Sequence, residues 1–367
     1  MKLVVIGCGF AGIEVVEGVR KGMKDAEITM IDPRARMQNQ SLFPEIISEK
    51  VTPDEITGDL SSFARKHDAK FINEAALSVD FKSKVVKTER EEVPYDFLAI
   101  TVGAVQSYFG IPGAEEHSYS INTLEGALEA KEALERLVSS GKDRIAVVGA
   151  GLTGVELVGE LVDKYGGKLK ITLIEALSKV LPAFSEANPK VCTYIEKVLR
   201  EKRVDIMLNA AVERVEDDKI YFKGGEPLDY DMLFWTAGIR PAPLLETLDV
   251  PKERGWIKVD ENLRVEGMND VFAGGDCVFT MIDGRCSGKN AEEAERQGRM
   301  IAENIVRSEK GKPLAKYRPK NTRERPRAFI SYGGGKAIAT SGRFMIKGRV
   351  AYMLKKYVDL RFMKRFE

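Results

Sequence analysis

The sequence has few of the residues that most often carry out chemistry directly. Histidine occurs only as His67 and His117, so a histidine-based triad or metal site is not expected, and no metal is predicted. The cysteines show neither a Cys-x-x-Cys pair nor zinc-ligand spacing. They are Cys8, Cys192, Cys277 and Cys286. Because there is no signal peptide and no apolar run of about 18 residues, a reducing cytosolic compartment is the default expectation.

The small overall charge hides two oppositely charged parts. The formal net charge is +1 at pH 7. From Lys312 onward there are 16 Lys and Arg against three acids, a net charge of +13, which leaves −12 for residues 1–311. A basic tail on an acidic body predicts that the tail meets something anionic. No nucleic-acid motif accompanies this charge, so nucleic acid is not the expected partner.

Two glycine-rich loops stand out, at residues 3–16 (LVVIGCGFAGIEVV) and 145–161 (IAVVGAGLTGVELVGEL). Each follows an apolar run, opens an apolar-periodic segment and has the spacing G-x-G-x-x-G. Glycines at this spacing allow a tight turn and a close approach of the backbone to a pyrophosphate, whose charge lies at the helix N-terminus. They are Gly7, Gly9 and Gly12 in the first loop and Gly149, Gly151 and Gly154 in the second.

An acidic residue ends the next apolar run after each loop. Asp32 closes EITMID and Glu175 closes KITLIE. In a strand–turn–helix–strand context, a carboxylate at this place accepts hydrogen bonds from a ribose hydroxyl. The alternative is that both acids are solvated strand ends.

The repetition extends beyond the loops. Residues 84–104 and 219–238 each give a polar-interrupted hairpin, then Tyr-Asp, an apolar strand and Thr-x-Gly. Tyr95 and Gly103 of the first copy correspond to residues 230 and 238 of the second, both at an offset of 135. The sequence therefore predicts two related α/β units.

A third sequence element, after the two glycine-rich loops, bears on the superfamily. Residues 263–276 give an apolar strand ending in Gly-Gly-Asp. Together with the two loops, this pattern resembles the two-dinucleotide-domain flavoproteins of the pyridine nucleotide oxidoreductase superfamily. The resemblance implies FAD on the N-terminal loop, with Asp276 on its ribityl–phosphate part, and NAD(H) on the inserted loop. The implied cofactor contacts are Gly7, Gly9, Phe10, Ala11, Gly12, Asp32, Pro33, Thr101, Gly103, Gly275 and Asp276 for FAD, and Gly149, Gly151, Thr153, Gly154, Glu175 and Gly238 for NAD(H).

The same resemblance divides the chain. It implies an FAD-binding domain in two parts, 1–110 and 238–311, with an NAD(H)-binding domain, 111–237, inserted between them. Residues 312–367 form a basic C-terminal region. The expected fold class is α/β with two Rossmann-like dinucleotide-binding domains and a C-terminal amphipathic, membrane-associating region.

The residue Glu175 also bears on the hydride donor. A carboxylate there accepts a hydrogen bond from the 2′-hydroxyl of NADH and repels a 2′-phosphate. No arginine follows it in Glu-Ala-Leu-Ser. The sequence therefore favours NADH over NADPH.

Three further segments bear on the electron acceptor. No cysteine lies between residues 33 and 60, where the redox pair of many superfamily members falls, so a dithiol mechanism is not expected. The segments 41–56 (SLFPEIISEKVTPDEI) and 235–246 (WTAGIRPAPLLE) resemble type II NADH:quinone oxidoreductases, with Glu45, Pro53 and Ile56 in register. This resemblance covers nearly the whole chain. It implies hydride transfer from NADH to flavin and transfer of two electrons from the flavin to a quinone.

A predicted helix, KNAEEAERQGRMIAENI, begins at Lys289. It resembles the helix that lines the quinone pocket of the type II enzymes. Ala291 and Ala294 match that helix, whereas its two glutamines fall on Glu292 and Arg296. Lys289 looks more like the related sulfide:quinone oxidoreductases. The N-terminal N–H groups of this helix can stabilise negative charge on reduced flavin.

Four residues are candidate catalytic residues: Glu156, Glu292, Arg296 and Lys289. By resemblance, Glu156 approaches the nicotinamide and the flavin; the alternative is a buried helix-cap acceptor. Glu292 and Arg296 either edge an acceptor pocket or pair with each other at i, i+4 on the surface.

Three other functions remain open. A sulfide:quinone-type enzyme needs redox cysteines, one of them in the second glycine loop, where this chain has Leu152. A soluble NADH:acceptor reductase would use oxygen or a small protein. A non-catalytic nucleotide-binding sensor would use the tail to dock a partner.

The C-terminal segment GRVAYMLKKYVDLRFMKRFE is amphipathic in two inconsistent registers. Residues 350–360 place apolar side chains on one side, but from Arg361 onward basic residues fall on that side. We therefore expect a break near residue 360 and two short helices. Residues 343–367 carry eight Lys and Arg and two acids, which suits a peripheral anchor on the inner face of the cell membrane. A homodimer contact is the alternative.

Overall fold

The computed structural model describes residues 1–367 and contains ten α-helices. Most are amphipathic helices that cover parallel sheets, and three of them are single turns of four or five residues. They are α1 (Phe10–Gly22), α2 (Phe43–Ile47), α3 (Pro53–Ile56), α4 (Leu60–Lys66), α5 (Leu124–Ser139), α6 (Leu152–Tyr165), α7 (Pro189–Glu201), α8 (Leu244–Thr247), α9 (Ala291–Glu309) and α10 (Arg349–Met363).

The first unit is built on a five-stranded parallel sheet. Its central strand carries the first glycine loop and is flanked on both sides, so its residues read as a continuous apolar run. In spatial order the strands are Val271–Ala273, Phe97–Ile100, Lys2–Ile6, Glu27–Ile31 and Ala69–Ile72. Helices α1 and α9 pack together against this sheet.

The second unit repeats this plan with four parallel strands. The strand that carries the second glycine loop again lies between the strand ending at the acid and the strand ending at Thr-x-Gly. In order the strands are Asp205–Met207, Lys170–Ile174, Arg144–Val148 and Met232–Trp235. Two Rossmann-like units in a mixed α/β fold were predicted, and this part of the prediction is confirmed.

Small sheets complete both units, and their strand pairs are antiparallel except for Trp256–Lys258 with Val278–Phe279, which is parallel. The predicted hairpins are present in each copy, as Ser78–Asp80, Val85–Lys87 and Glu92–Pro94 in the first and Val212–Val215, Lys219–Phe222 and Leu228–Asp229 in the second. The remaining pairs and triplets are Arg36–Gln38 with Thr57–Asp59, Lys252–Glu253 with Trp256–Lys258 and Val278–Phe279, and Met281–Ile282 with Arg285–Cys286.

The chain crosses between the units twice, through paired strands. Ala104–Gln106 leaves the first unit and Ile239–Pro241 returns to it, and these two strands pair antiparallel. Three carbonyl oxygens accept hydrogen bonds from the Gln106 amide, including Ala237 O and Gly238 O, both at 2.8 Å. The crossover is therefore attached to the Thr-x-Gly loop of the second unit.

The C-terminal region packs onto both units, with its sheet against the second and the end of its helix against the first. Arg327–Ser331, Ala337–Ser341 and Phe344–Gly348 form an antiparallel sheet, and the first of these strands contacts α6. Helix α10 follows directly and lies against this sheet. The basic tail is thus part of the folded body.

The predicted break near residue 360 is wrong, because α10 continues to Met363 and only then becomes a 3₁₀ turn, Lys364–Phe366. The apolar side chains of the two halves of α10 lie in different surroundings. The apolar side chains of the first half point outward, whereas Phe362 and Met363 are buried, with the Phe362 ring 4.7 Å from that of Phe10. One straight helix can therefore satisfy both halves.

None of the helices combines the length and the apolar character that crossing a bilayer requires.

Candidate functional site

The first glycine loop leaves the carboxyl end of the Lys2–Ile6 strand and enters α1. Gly7 has a φ of +90°, and a Cβ there would lie 2.6 Å from Thr101 O. A Cβ on Gly12 would overlap Gly7 O, whereas a Cβ on Gly9 would meet no protein atom within 4 Å. Only Gly9 therefore faces open space, at the place where a ligand can approach the backbone.

Asp32 holds this loop from the neighbouring strand. Its carboxylate accepts hydrogen bonds from Cys8 N at 2.8 Å and from Arg34 N at 2.9 Å, and Arg34 Nε lies 3.1 Å away. From the other side, the Thr101 hydroxyl donates to Gly7 O at 2.6 Å. Pro33 O accepts from an Asn73 amide, so the segment after Asp32 is fixed as well.

The second loop has the same contacts in the second unit. The Glu175 carboxylate accepts from Ala150 N at 3.0 Å and from Leu177 N at 2.9 Å. The Thr236 hydroxyl donates to Gly149 O at 3.0 Å. A Cβ on Gly154 would overlap that same oxygen, and Gly151 again faces open space.

Two other predicted residues of the second unit lie at the ends of these segments. Thr153 is exposed in the first turn of α6. Gly238 has a φ of +75°, and the Phe109 ring covers the place where its Cβ would be. In the first unit, Gly103 has a φ of +70° and faces open space.

A cleft of about 1240 Å³ opens beside the first loop. Its walls include Gly7, Asp32, Pro33 and Arg34 from the first unit, and residues of the second unit, such as Tyr119, on the opposite side. The cleft is large enough for an extended dinucleotide or for much of one.

The Gly-Gly-Asp segment lies at the same edge of the first sheet. Gly275 has a φ of +79°, and its N–H donates to Gln297 Oε1 at 2.6 Å. A Cβ there would make only van der Waals contact with Ala11 and Ala294, at 3.5 and 3.8 Å, so the positive φ is what favours glycine at this position. Burial raises the pKa of Asp276, and the nearby Lys289 opposes this shift. Sequence reasoning missed Gln297, although it directly follows Arg296.

Glu292 and Arg296, in the first two turns of α9, do not form the i, i+4 salt bridge that one alternative predicted. Glu292 forms a salt bridge with Arg327 at 3.1 Å, and Arg296 lies 3.5 Å from Glu293. Glu293 is buried and also accepts from the Tyr317 hydroxyl and two backbone N–H groups. The Glu292–Arg296 surface pair is therefore absent, since each side chain has another partner.

A buried charge cluster lies where α2, α6 and α10 meet. Glu156 Oε1 accepts from Ser331 N at 3.0 Å and from the Ser331 hydroxyl at 3.2 Å. Lys355 Nζ lies 3.6 Å from Glu156 Oε1, 3.8 Å from Glu45 Oε1 and 2.8 Å from Asp359 Oδ2. Lys356 Nζ lies 2.6 Å from Glu45 Oε2.

These charges shift one another's protonation. Burial raises the pKa of Glu156 to about 7, although Lys355 lowers it. Burial lowers the pKa of Lys355, but the carboxylates of Glu156, Asp359 and Glu45 outweigh it and raise the pKa above its usual value. A carboxyl group that titrates near neutral pH can hold or release a proton there. Lys355 was missed because its place on a charged helix face suggested exposure.

The outer face of α10 is apolar and uncovered. Val350, Met353 and Tyr357 are each more than 60% exposed, and Leu354 is 44% exposed. The charged face turns inward to the cluster just described. Of the eight basic residues counted in residues 343–367, Lys355, Lys356 and Arg365 are paired with carboxylates of the body.

The cysteines and acids offer no other redox or metal centre. All four cysteines are free thiols, and three of them are buried. No group of three or more His, Cys, Asp or Glu side chains is placed to hold a metal ion.

Residues 1–298 match the family model described as pyridine nucleotide-disulphide oxidoreductase. The chain belongs to this family. It has no cysteine pair between residues 33 and 60. Its sequence is similar to those of relatives named type II NADH:quinone oxidoreductase. The Staphylococcus epidermidis relative is 28% identical over 386 residues, with 98% of this chain and 94% of the relative covered. The Staphylococcus aureus relative is 29% identical over 392 residues with the same coverage.

Two solved structures share the fold of this family member over its whole length. NDH2 from Plasmodium falciparum, solved with NADH, gives a TM-score of 0.83 at 18% identity and covers 100% of this chain and 97% of its own. The sulfide:quinone oxidoreductase of Aquifex aeolicus gives 0.87 at 21% identity, with 100% and 91% covered. At these identities the likeness shows the fold alone.

Proposed function

We propose that this chain is an FAD-dependent NADH dehydrogenase that passes two electrons on to a quinone at a membrane surface. The observation that carries the proposal is the duplicated loop. In each unit a carboxylate at the end of one strand and a threonine at the end of another hold the glycine turn, as two dinucleotides require. The names of the relatives that cover nearly the whole chain support the same activity.

The first unit fits FAD. The open space above Gly9, the adjoining cleft and the turn at Gly275 leave room for a pyrophosphate and its neighbours. In this proposal, residues 1–110 and 238–311 form the FAD domain. The residues that would hold FAD are Gly7, Gly9, Phe10, Ala11, Gly12, Asp32, Pro33, Thr101, Gly103, Gly275 and Asp276.

The second unit fits NADH. Gly151 leaves open space at the N-terminus of α6, and Glu175 places a carboxylate at the neighbouring strand end. Residues 111–237 are the proposed NADH domain. The residues that would hold NADH are Gly149, Gly151, Thr153, Gly154, Glu175 and Gly238.

FAD, when bound, supplies the chemistry of accepting a hydride equivalent and releasing two electrons. The chain supplies binding, orientation and a proton store. Glu156 lies one turn into α6, in the helix that begins at the NADH loop, and its carboxyl group titrates near neutral pH. In the proposal, Glu156 holds or releases a proton in the cluster of α2, α6 and α10, and Lys355 keeps it partly ionised.

The acceptor site is proposed to lie beside the first turns of α9. Glu292 and Arg296 would edge it, each held by a second residue, Arg327 or Glu293. Arg296 Nε lies 3.5 Å from the Glu293 carboxylate and its Nη2 donates to Arg318 O at 3.1 Å, so the guanidinium group is held in place beside the proposed site.

The membrane surface is proposed to meet residues 312–367, through the outer face of α10. Exposed Leu, Met, Val and Tyr side chains there would enter the interface, and the unpaired basic residues of the tail would face anionic lipid. This describes a peripheral protein on the inner face of the cell membrane. A homodimer formed through the same face is the competing proposal.

The deciding experiment offers possible donors to the enzyme one at a time. Purified protein is mixed anaerobically with NADH, NADPH or sulfide, and the flavin absorbance is followed. NADH should bleach the flavin fastest. Bleaching by sulfide alone would support the sulfide:quinone alternative, and protein that stays colourless when FAD is offered would overturn the proposal.

A second measurement separates an enzyme from a sensor. Turnover with NADH and a short-chain quinone should exceed the rate with oxygen alone at least tenfold. A sensor would bind NADH but turn over negligibly with either acceptor, and a soluble oxygen-using reductase would gain nothing from the quinone.

A further inference from the structure

Lys289 fixes a positive charge at the edge of the first sheet. It lies immediately before Asn290, the N-cap of α9. Its ammonium group donates to Asp276 O at 2.6 Å and to Val278 O at 2.8 Å, and it lies 3.6 Å from the centroid of the Trp256 ring. Carbonyl oxygens and an aromatic face all favour the protonated form.

The charge of Lys289 is not cancelled by a salt bridge. Its two hydrogen-bond acceptors are neutral carbonyls, in contrast to Lys355, whose ammonium lies within 4 Å of three carboxylates. The titratable groups that face it are Asp276, Cys277 and Cys286. Burial lowers the pKa of Lys289 and Asp276 opposes this, while burial raises the pKa of the Cys277 thiol to about 11, so that thiol stays neutral.

The position of this charge relates it to the flavin of the proposed function. Lys289 binds the backbone of Asp276, which follows the edge strand of the first sheet. Gln297 of α9 binds the preceding residue, Gly275. The ammonium group, the start of α9 and the Gly-Gly-Asp segment therefore lie together at one edge of the sheet, next to Ala11 of the loop proposed to hold FAD.

We propose that Lys289 is a positioning residue whose charge raises the two-electron reduction potential of the flavin and keeps the reduced flavin anionic. Two-electron reduction with uptake of one proton leaves a negative charge on the pyrimidine part of the flavin ring. A cation fixed near the ring stabilises that charge more than it stabilises the oxidised ring. The inference rests on FAD binding as proposed above.

The test measures the flavin midpoint potential of purified holoenzyme against a reference dye. Lys289→Gln keeps a hydrogen-bond donor for the two carbonyls but removes the charge. It should weaken binding of reduced relative to oxidised flavin at least tenfold, which for a two-electron couple is about 30 mV. Lys289→Arg should restore the ratio to within about twofold, and the exposed Lys142→Gln should leave it unchanged.

The pH dependence of the potential gives a readout that a purely structural role would not move. The parent protein should take up one proton per two electrons at pH 7, and Lys289→Gln should take up more than one. Uptake of two protons per two electrons by the parent protein would by itself overturn the proposal. This measurement needs no variant, so it still applies if Lys289→Gln fails to retain flavin. Yellow protein with an unchanged potential in Lys289→Gln would overturn this inference alone, whereas colourless parent protein would overturn the proposed function.

Discussion

Lys355 Nζ of the last helix lies 3.6 Å from Glu156 Oε1 of the helix that begins at the second glycine loop. Both side chains are buried. The contact joins the C-terminal region to the nucleotide-binding unit by opposite charges removed from water. Breaking one partner of such a pair costs more than the pair itself contributes, because the remaining charge stays buried.

The first prediction concerns the pH dependence of stability. The pKa of Glu156 is about 7 in the folded protein, above its value of about 4.3 in an unfolded chain. A raised pKa favours folding at low pH, and this contribution is lost as the pH rises through 7. Relative to Glu156→Gln, the parent should lose stability on the order of 3 kcal/mol between pH 4.5 and pH 7.5.

Urea unfolding of both proteins at several pH values measures this difference. The Gln variant lacks the titrating group and serves as the reference. A difference that stays constant with pH would contradict the role assigned to Glu156.

The second prediction removes the cation of the cluster. Lys355→Met should lower the free energy of unfolding at pH 7 by about 3–5 kcal/mol, because the carboxylates of Glu156 and Asp359 lose their counter-charge. Lys355 lowers the pKa values of both carboxyls, so they rise in the variant. The loss should therefore shrink at pH 5, where Glu156 is protonated in the folded parent and in the folded variant and no longer needs a counter-charge.

Lys364→Met is the matched control, because Lys364 is exposed on the same C-terminal segment. It should change the unfolding free energy by less than about 0.5 kcal/mol. Equal losses in the two variants would show that the tail, and not the buried cluster, determines the effect.

The third prediction distinguishes a folding glycine from a ligand-binding glycine. Gly154→Ala should destabilise the second unit, because its Cβ would overlap Gly149 O. A Cβ added at residue 151 would have no protein atom within 4 Å. The melting temperature and flavin content of Gly151→Ala should therefore equal the parent's. Its KM for NADH should rise at least tenfold, because the new methyl group occupies the approach to the pyrophosphate.

Steady-state kinetics and thermal melts together test this contrast. Gly167→Ala, also in open space but outside the loop, should alter neither quantity. A normal KM in Gly151→Ala would exclude the second loop as the NADH site.

The fourth prediction addresses donor choice. Glu175→Gln keeps an oxygen to accept from Ala150 N or Leu177 N but removes the charge that repels a 2′-phosphate. The ratio of kcat/KM for NADH over NADPH should fall about tenfold. Glu186→Gln, on the exposed surface of the same unit, should leave the ratio unchanged.

The core of each unit was predictable because the hydrophobic pattern, the glycine spacing and the position of the terminal acid all indicate the same strand–turn–helix arrangement. The strand, the glycine turn and the terminal acid of each copy lie within about 25–30 residues, so local pattern fixes their arrangement. Even the contact of Asp32 with the first loop follows from parallel neighbours ending at one edge.

The C-terminal helix was predicted less well because its environment is set by residues far away in the chain. Its charged face would normally be assigned to solvent. Here Glu45 and Glu156, from two other helices, draw Lys355 and Lys356 inward. Helical periodicity identifies two faces but cannot tell which one the rest of the protein covers.

The last prediction tests that outward apolar face. Met353 and Tyr357 are 69% and 63% exposed, so Met353→Glu with Tyr357→Glu should leave the melting temperature and flavin content unchanged. Binding to vesicles of anionic phospholipid, measured by flotation, should weaken at least tenfold, because two side chains that would enter the interface become charged. Leu77→Glu, a similar change at a 50% exposed site on the first unit, should bind vesicles like the parent. If the double variant instead dissociates a dimer and vesicle binding is unaltered, the face joins two copies of the chain, and the membrane proposal fails.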